Sequence, residues 1–530
     1  MRLFDELTRI KHPSRLMQPN RSFVLVLACC LALSAAARDT QPTQPAQTPP
    51  SALPEPSSTR APRMLSLAEC IQLALEHNLD IQIQRYNPII DQYTLDLSYA
   101  GYEPTFNFSA QKSYNSSPGS FIPNSIVQNP SFVTESANFN PEILGTLPTG
   151  LTYDMTGPLS KRTQNSTNTT WSASPGITLS QPLLRNFWID NTRLQIQLNK
   201  ANLKISEQAL RLQIMTTVTS VKTAYYNLIF DRENVDVQAT ALKLAQQLAA
   251  ENKKKVEVGT LAPLDEKQAE SQAASSQAAL LLAQHTLVTQ ENTLKVLLSD
   301  NYYRDWANVS PVPTEQLSAE PQPLNLQESW RRAVTQRPDY LEQKLNVEKQ
   351  NVTLKYDFNQ LFPELNVTGS YGRNAFNSSF DDTLNNIRTD QNSFYSYGAV
   401  VSIPLGNSGP RANYKSGKAT LKQVLLQLKQ LEQNILLEVD NDVGQVESTL
   451  QQVDATREAR IYAEDALAAE QKKLENGKST SFQVLQLISN LTTARSAEIQ
   501  ALANYNIALA QLSLDEGSTL EKDRIDLKVK

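Results

Sequence analysis

A mainly helical tandem-repeat chain that also carries transmembrane-type β strands is the fold class this sequence predicts, on three observations. Residues 65–109 and 324–368 match each other without a gap at an offset of 259, pairing Leu65 with Leu324, Glu69 with Glu328, Asp80 with Asp339, Leu95 with Leu354 and Pro104 with Pro363. Apolar residues at heptad spacing recur at an offset of 218, which also places Gly259 on Gly477. Between the helical stretches lie short segments that alternate apolar with small polar residues, the period of a strand with one greasy and one wet face.

The composition agrees. Of 530 residues only 16 are glycine and 40% are apolar, which suits long helices with wet surfaces better than one thick core. A net charge of −5 leaves no basic footprint for nucleic acid. Cys29, Cys30 and Cys70 offer no disulfide framework, and His12, His77 and His285 stand in no metal-ligand spacing. Cys70 reads as a small helix-packing residue.

At the N-terminus, Arg21, the apolar run 23–33 and the small residues Ser34 to Ala37 predict an export signal over residues 1–37. The run is too short to span a bilayer as a helix. The long polar stretch ahead of it makes Met17 an alternative start. Val26-Leu27-Ala28-Cys29 resembles a lipobox, which would anchor Cys29, but cleavage after Ala37 ranks first. Seven prolines within residues 39–63 make 38–63 a stiff linker.

Repeat one then covers residues 64–323 and repeat two 324–516, with 517–530 as a C-terminal tail. Each repeat reads as a helix, a strand pair, a long helix, a hairpin and a returning helix. The strand pairs fall at 105–181 and 364–403 and give four strands per chain. Pro104, Pro182, Pro363 and Pro404 mark the helix–strand changeovers, where a missing N–H and a fixed φ do least harm. Phe106, Phe108, Ala110 and Tyr114 alternate with Asn107, Ser109, Gln111 and Ser113 in the first strand. Trp171 to Ser180 reads as the second, Leu365 to Tyr371 as the third and Tyr395 to Ile403 as the fourth. Residues 116–170 and 374–393, rich in Asn, Ser and Thr, read as surface loops, though Leu151, Tyr153 and Met155 alternate again and mark further strand in the longer one. A soluble half-buried sheet and a membrane barrel both fit this alternation, and the uncharged second face of an exported chain favours the barrel.

In the long helices, Val218, Val221, Tyr225, Leu228 and Val235 form one seam; Leu436, Val439, Val443, Val446, Leu450 and Val453 form the other. The helices, about 194–257 and 414–475, would be roughly 90–100 Å long at 1.5 Å per residue. Gly259 and Gly477 suit left-handed caps, Pro263 a first helical position, and Ser479 or Thr480 an N-cap. Four strands cannot enclose a channel, and open edges are excluded from hydrocarbon, so strands that span a membrane require several chains in one barrel.

The paired openings LSLAECIQLALEHNLDIQ and LNLQESWRRAVTQRPDYLE resemble the TolC family of outer-membrane factors. So do the changeover prolines, the segment ITLSQPLLRN and the hairpins EVGTLAPLDEKQAE and ENGKSTSFQVLQLI, and the likeness runs from Leu65 to Leu514. The resemblance implies a homotrimer in the outer membrane, a 12-stranded barrel with four strands from each chain, and a periplasmic α-helical tunnel. It also implies docking to a periplasmic adaptor (membrane fusion protein) and an inner-membrane RND or ABC pump, as a passive exit duct with no cofactor. A soluble periplasmic coiled-coil adaptor is the alternative from another class, and no nucleophile set, phosphate loop or zinc spacing supports an enzyme. In the family the hairpins face the adaptor. Val258, Gly259, Thr260 and Leu261 keep the family's V-G-[LT] pattern, while of Asn476, Gly477, Lys478 and Ser479 only the glycine matches. Helix termination explains both glycines equally well. The periplasmic entrance would fall at Asp265, Gln268, Gln483 and Gln486. Family members often carry aspartates where this chain has Gln483 and Gln486, so a trimer would present rings of neutral amides. Asp265 matches the family's acidic position, and also suits a first helical turn facing the macrodipole.

Overall fold

The computed structural model describes residues 61–118, 131–165, 168–389 and 392–525. The leader, Cys29, residues 38–60 of the linker and residues 526–530 lie outside the described residues.

The duplicated opening is two helices in each repeat, not one continuous stretch. After a short strand β1 (Ala61–Leu65), Ser66 caps α1 (Leu67–His77) through a reciprocal capping box with Glu69. Asn78 ends α1 and starts α2 (Leu79–Tyr99), its side chain accepting from the Asp80 and Ile81 amides. The helical stretch therefore breaks where one side chain satisfies the first amides of a new helix. Repeat two breaks at the matching place by other means: α6 (Leu326–Gln336) is capped by Asn325, and Arg337 leads into α7 (Pro338–Asn359) with Pro338 in the first turn.

The strands exceed the expected four. Repeat one holds β2 (Thr105–Ser117), β3 (Phe132–Thr146), β4 (Thr152–Thr156), β5 (Leu159–Gln164), β6 (Asn168–Ala173) and β7 (Gly176–Pro182). The long helix α3 (Asn191–Glu257) follows, then α4 (Pro263–Leu297), the short α5 (Tyr302–Trp306) and β8 (Val309–Pro313), which pairs in parallel with β1. Repeat two holds β9 (Glu364–Arg373), β10 (Ala375–Asn377), α8 (Phe380–Arg388) and β11 (Ser393–Ser402), then α9 (Ser408–Glu475), α10 (Ser481–Asp515) and α11 (Thr519–Lys522).

β2 to β7, β9, β10 and β11 form one nine-stranded sheet. β4 with β5, β6 with β7, and β9 with β10 continue one another, so the sheet has six rows: β2, β3, β4/β5, β6/β7, β9/β10 and β11. The strand expected over Trp171 to Ser180 is interrupted at Ser174 and Pro175. Most of the long segment read as a loop is strand. Its Asn, Ser and Thr residues mimic a loop because they supply one face of β3, while Val133, Phe139 and Ile143 supply the other. The shorter expected loop likewise carries β10 and α8.

The long helices hold three apolar clusters. In the first, Val218, Val221, Tyr225 and Leu228 of α3 are fully buried against Cys70, Ile81, Leu294 and Leu520. Burial pushes the Cys70 thiol up to about 12, in keeping with a packing residue. In the second, Ile435, Val439, Val446 and Val453 of α9 meet Ala333, Tyr505 and Leu512. The third lies nearest the hairpins and joins both repeats: Leu248 of α3, Ala269 of α4, Leu467 of α9 and Val484, Leu485 and Ile488 of α10. Residues set apart as a tail join the body, since Leu520 enters the first cluster and Asp523 accepts from Lys222 at 2.7 Å.

Candidate channel elements: tips, junctions and sheet

Both tips are built by the same local device. At the end of α3 the Gly259 amide donates to the Val256 carbonyl at 2.9 Å and the Thr260 amide to Lys255 at 2.8 Å. At the end of α9 the Gly477 amide donates to Leu474 at 3.0 Å and the Lys478 amide to Lys473 at 2.8 Å. These are paired Schellman closures, and they require the left-handed backbone found at Gly259 (φ +77°) and Gly477 (φ +68°). A Cβ at either position would meet nothing within 4 Å, so backbone conformation, not space, calls for glycine. Pro263 opens α4, and Thr480, not Ser479, caps α10 through the Gln483 amide.

Ser479 has another partner: its hydroxyl donates to Glu470 at 2.5 Å, beside Lys473 at 3.0 Å. The Ser479 hydroxyl, then Lys473, hold the Glu470 carboxyl below the usual carboxylate range. Asn252, which is fully buried, ties the two tips together. Its amide donates to the Asp265 carbonyl at 3.3 Å, and its oxygen accepts from the Ser481 hydroxyl at 2.9 Å. Sequence reasoning passed over Asn252. Its signal was a polar residue in register with buried Ala245 and Leu248 on one helix stripe.

Of the expected entrance residues, Gln268 and Gln486 line one groove between α4 and α10, together with Leu264, Lys267, Phe482 and Leu485. Neither Asp265 nor Gln483 lines that groove. Gln486 donates to Asn490 one turn on, at 3.2 Å. Val258 and Leu264 expose their side chains at the first tip, as Phe482 does beside the second.

At the other end of the helices, Pro104 and Pro363 directly precede β2 and β9, Pro182 is the last residue of β7, and Pro404 follows β11. The ITLSQPLLRN segment crosses between repeats here. Asn186, at φ +67°, donates its amide to the Asn359 side chain at 2.8 Å, and Asn359 donates back to the Leu184 carbonyl at 3.2 Å. Arg185 and the Asn186 side chain each bond Gln360 at 2.9 Å. Repeat one's strand exit is thereby locked to the end of repeat two's helix α7.

The sheet sorts most of its side chains by face, with Lys112, Glu135 and Lys161 as charged exceptions on the apolar one. Phe106, Ile143, Met155, Ile177, Tyr371 and Tyr395 are register neighbours across all six rows and share one face. On the other face Ser113, Ser136, Arg162 and Thr170 run across the first four rows. β2 is exposed along its whole length and β11 along nearly all of it, with Tyr397 85% exposed. Both are edge strands with unpaired backbone. Among the described residues no helix is long and apolar enough to cross a membrane, and no acidic, His and Cys residues cluster as for a metal ion.

A sheet greasy on one face and polar on the other, feeding helices of 67 and 68 residues that end in paired tips, defines a class: the protomer of a membrane channel, part barrel and part helical tube. The family model described as outer membrane efflux protein matches residues 70–299 and 330–515, one segment in each repeat. The chain belongs to that family and is an outer-membrane protein. The outer membrane protein TolC of Vibrio cholerae is 23% identical over 359 residues, covering 67% of this chain and 78% of its own. The outer membrane efflux protein BepC of Brucella suis is 21% identical over 356 residues, covering 67% and 74%. Among solved structures, the CmeC outer membrane channel of Campylobacter jejuni superposes with a TM-score of 0.63 at 16% identity, covering 86% of each chain. The open-state MtrE channel of Neisseria gonorrhoeae gives 0.61 at 16% identity, covering 86% of this chain and 89% of its own. At these identities the solved structures speak for the fold.

Proposed function

We propose that this chain is one subunit of a trimeric exit duct, passive itself, which carries solutes from a tripartite efflux or type I secretion system across the periplasm and outer membrane. One observation carries the reading: a single copy ends in two unpaired sheet edges, β2 and β11, below an apolar face that runs across every row. Hydrocarbon offers no water to those backbone groups, so they must meet other copies. α3 and α9, about 100 Å long at 1.5 Å per residue, then project as a tube far longer than a bilayer is thick. The tips around Gly259 and Gly477 face a periplasmic adaptor, and an RND or ABC pump in the inner membrane supplies the energy. Gln268, Gln483 and Gln486, with Asp265, ring the entrance. A soluble adaptor would have no use for exposed Tyr395, Tyr397 and Val401 on a sheet edge.

Fractionation tests this. The protein should be extracted from outer membranes by detergent as a trimer that dissociates on heating. A monomer in the soluble periplasmic fraction would overturn the proposal.

A further inference from the structure

We infer that the membrane barrel of this chain is built from six strand rows per copy, eighteen in the trimer, and is therefore wider than the helical tube that feeds it. The inference rests on the channel reading above and departs from the twelve strands that four per chain would supply.

β3 is an internal row. Thr105 to Ser117 of β2 pair with Leu144 to Phe132 along one of its edges, and β5 and β4 occupy the other. Two full rows thus lie between β2 and β6/β7, the strand that leads into α3. The inserted rows follow the facing of the rest near the helices, while toward the far end Glu135 and Lys161 put charge on the apolar face, Glu135 beside Lys112 of β2 at 3.8 Å. Ile143 and Met155 continue the apolar line from Phe106 to Ile177, and Phe139 and Leu159 share that face one step further on. On the opposite face Asn138 and Ser160 are register partners joined at 2.6 Å, and Ser113 and Ser136 meet at 2.7 Å. A hairpin folded over the lumen or lying outside the sheet could not make these ladders.

Six is also a count that closes. Successive rows are antiparallel, so β2 and β11 run in opposite directions and β11 of one copy can join β2 of the next in the pairing used everywhere else. At a strand spacing of about 4.8 Å and a tilt near 40°, eighteen rows enclose a backbone diameter of about 36 Å, against about 24 Å for twelve.

Only four rows per copy connect to helices: β2 from α2, β7 to α3, β9 from α7 and β11 to α9. The inserted pair turns back through residues 147–151, with Gly150 at φ +86°. That turn is pinned to the strand beside it, since the Gln181 amide donates to the Thr149 carbonyl at 3.1 Å. The circumference grows by half in the sheet but not in the helices, so the outlet flares. The narrowest passage then lies in the helical part, and the outlet itself passes solutes wider than a twelve-row barrel would.

Two measurements on the full chain decide it. Ser113→Cys with Ser136→Cys, oxidised in outer membranes, should give a disulfide-linked β2–β3 peptide pair within one chain. Electron microscopy of the unmodified detergent-extracted trimer should show eighteen strands around the rim. A membrane trimer with twelve strands, or without the β2–β3 link, overturns this inference and leaves the channel reading standing. A soluble monomer overturns both.

Discussion

Asp442 is half-buried on α9 among Arg337, Glu438 and Asp515, with Arg337 bridging Glu438 at 2.7 Å, Asp339 at 3.0 Å and Asp515 at 3.5 Å. Burial first, then the Asp515 carboxylate, pushes Asp442 from 3.8 up to about 7. The folded chain therefore holds a proton there that the unfolded chain releases from about pH 4 upward. Stability from this site is fully present below pH 3.8 and is lost as pH rises through about 7. Asp442→Asn should stabilise the helical body at pH 8 by about 1–2 kcal/mol, a figure discounted for the half-open site. It should also flatten the slope of stability between pH 4 and 7, as thermal unfolding at several pH values would show. The cluster was hidden in the sequence because Arg337 and Asp442 are more than a hundred residues apart and look like solvated helix charges. Asn252 was hidden differently: it sits on a legible stripe, but its partners on α4 and α10 appear only when the tips come together.

Among the elements, helix ends were the most legible. Gly259, Gly477, Pro263 and Thr480 act through bonds within a few residues, so local chemistry names them. Gly259→Ala and Gly477→Ala should each cost about 1–2 kcal/mol from left-handed strain. Hydrogen exchange should show faster opening around 254–262 or 472–480. Gly→Asn at the same positions should do less harm, because Asn tolerates that backbone. Equal exchange in Ala and Asn variants would show that the left-handed turn is not what holds the tip. The strands were less legible. β2 and β11 show their alternation openly, but β3 carries it inside a run of Asn, Ser and Thr that reads as loop. Pro175 splits one apparent strand into β6 and β7, although the row continues across the break.

For the whole molecule, two repeats in three copies would give a tube of six quasi-equivalent units. The repeats are unequal at the proposed entrance, where Asp265 in one corresponds to Gln483 in the other, and in the sheet, where only repeat one carries the inserted rows. In the proposed trimer, rings of Gln483 and Gln486 amides would carry no charge, so trivalent cations added at the periplasmic mouth should block single-channel current only weakly. Gln483→Asp with Gln486→Asp should strengthen that block about tenfold or more, equivalent to about 1.4 kcal/mol. Strong block of the unmodified channel would count against the amide rings.

By itself the sequence determined the duplication, the helical seams, the helix stops and the alternating strands. Each of these is a period or a short-range bond, written in neighbouring residues. Tertiary structure alone decided which strand lies beside which, that Asn186 clasps Asn359 across the repeats, and that Asn252 joins both tips. Those contacts unite residues far apart in the chain, and any one of them could have been traded for another without changing a local pattern. Six rows instead of four is the largest such decision, because a strand's alternation states which face it shows but not which neighbour it takes.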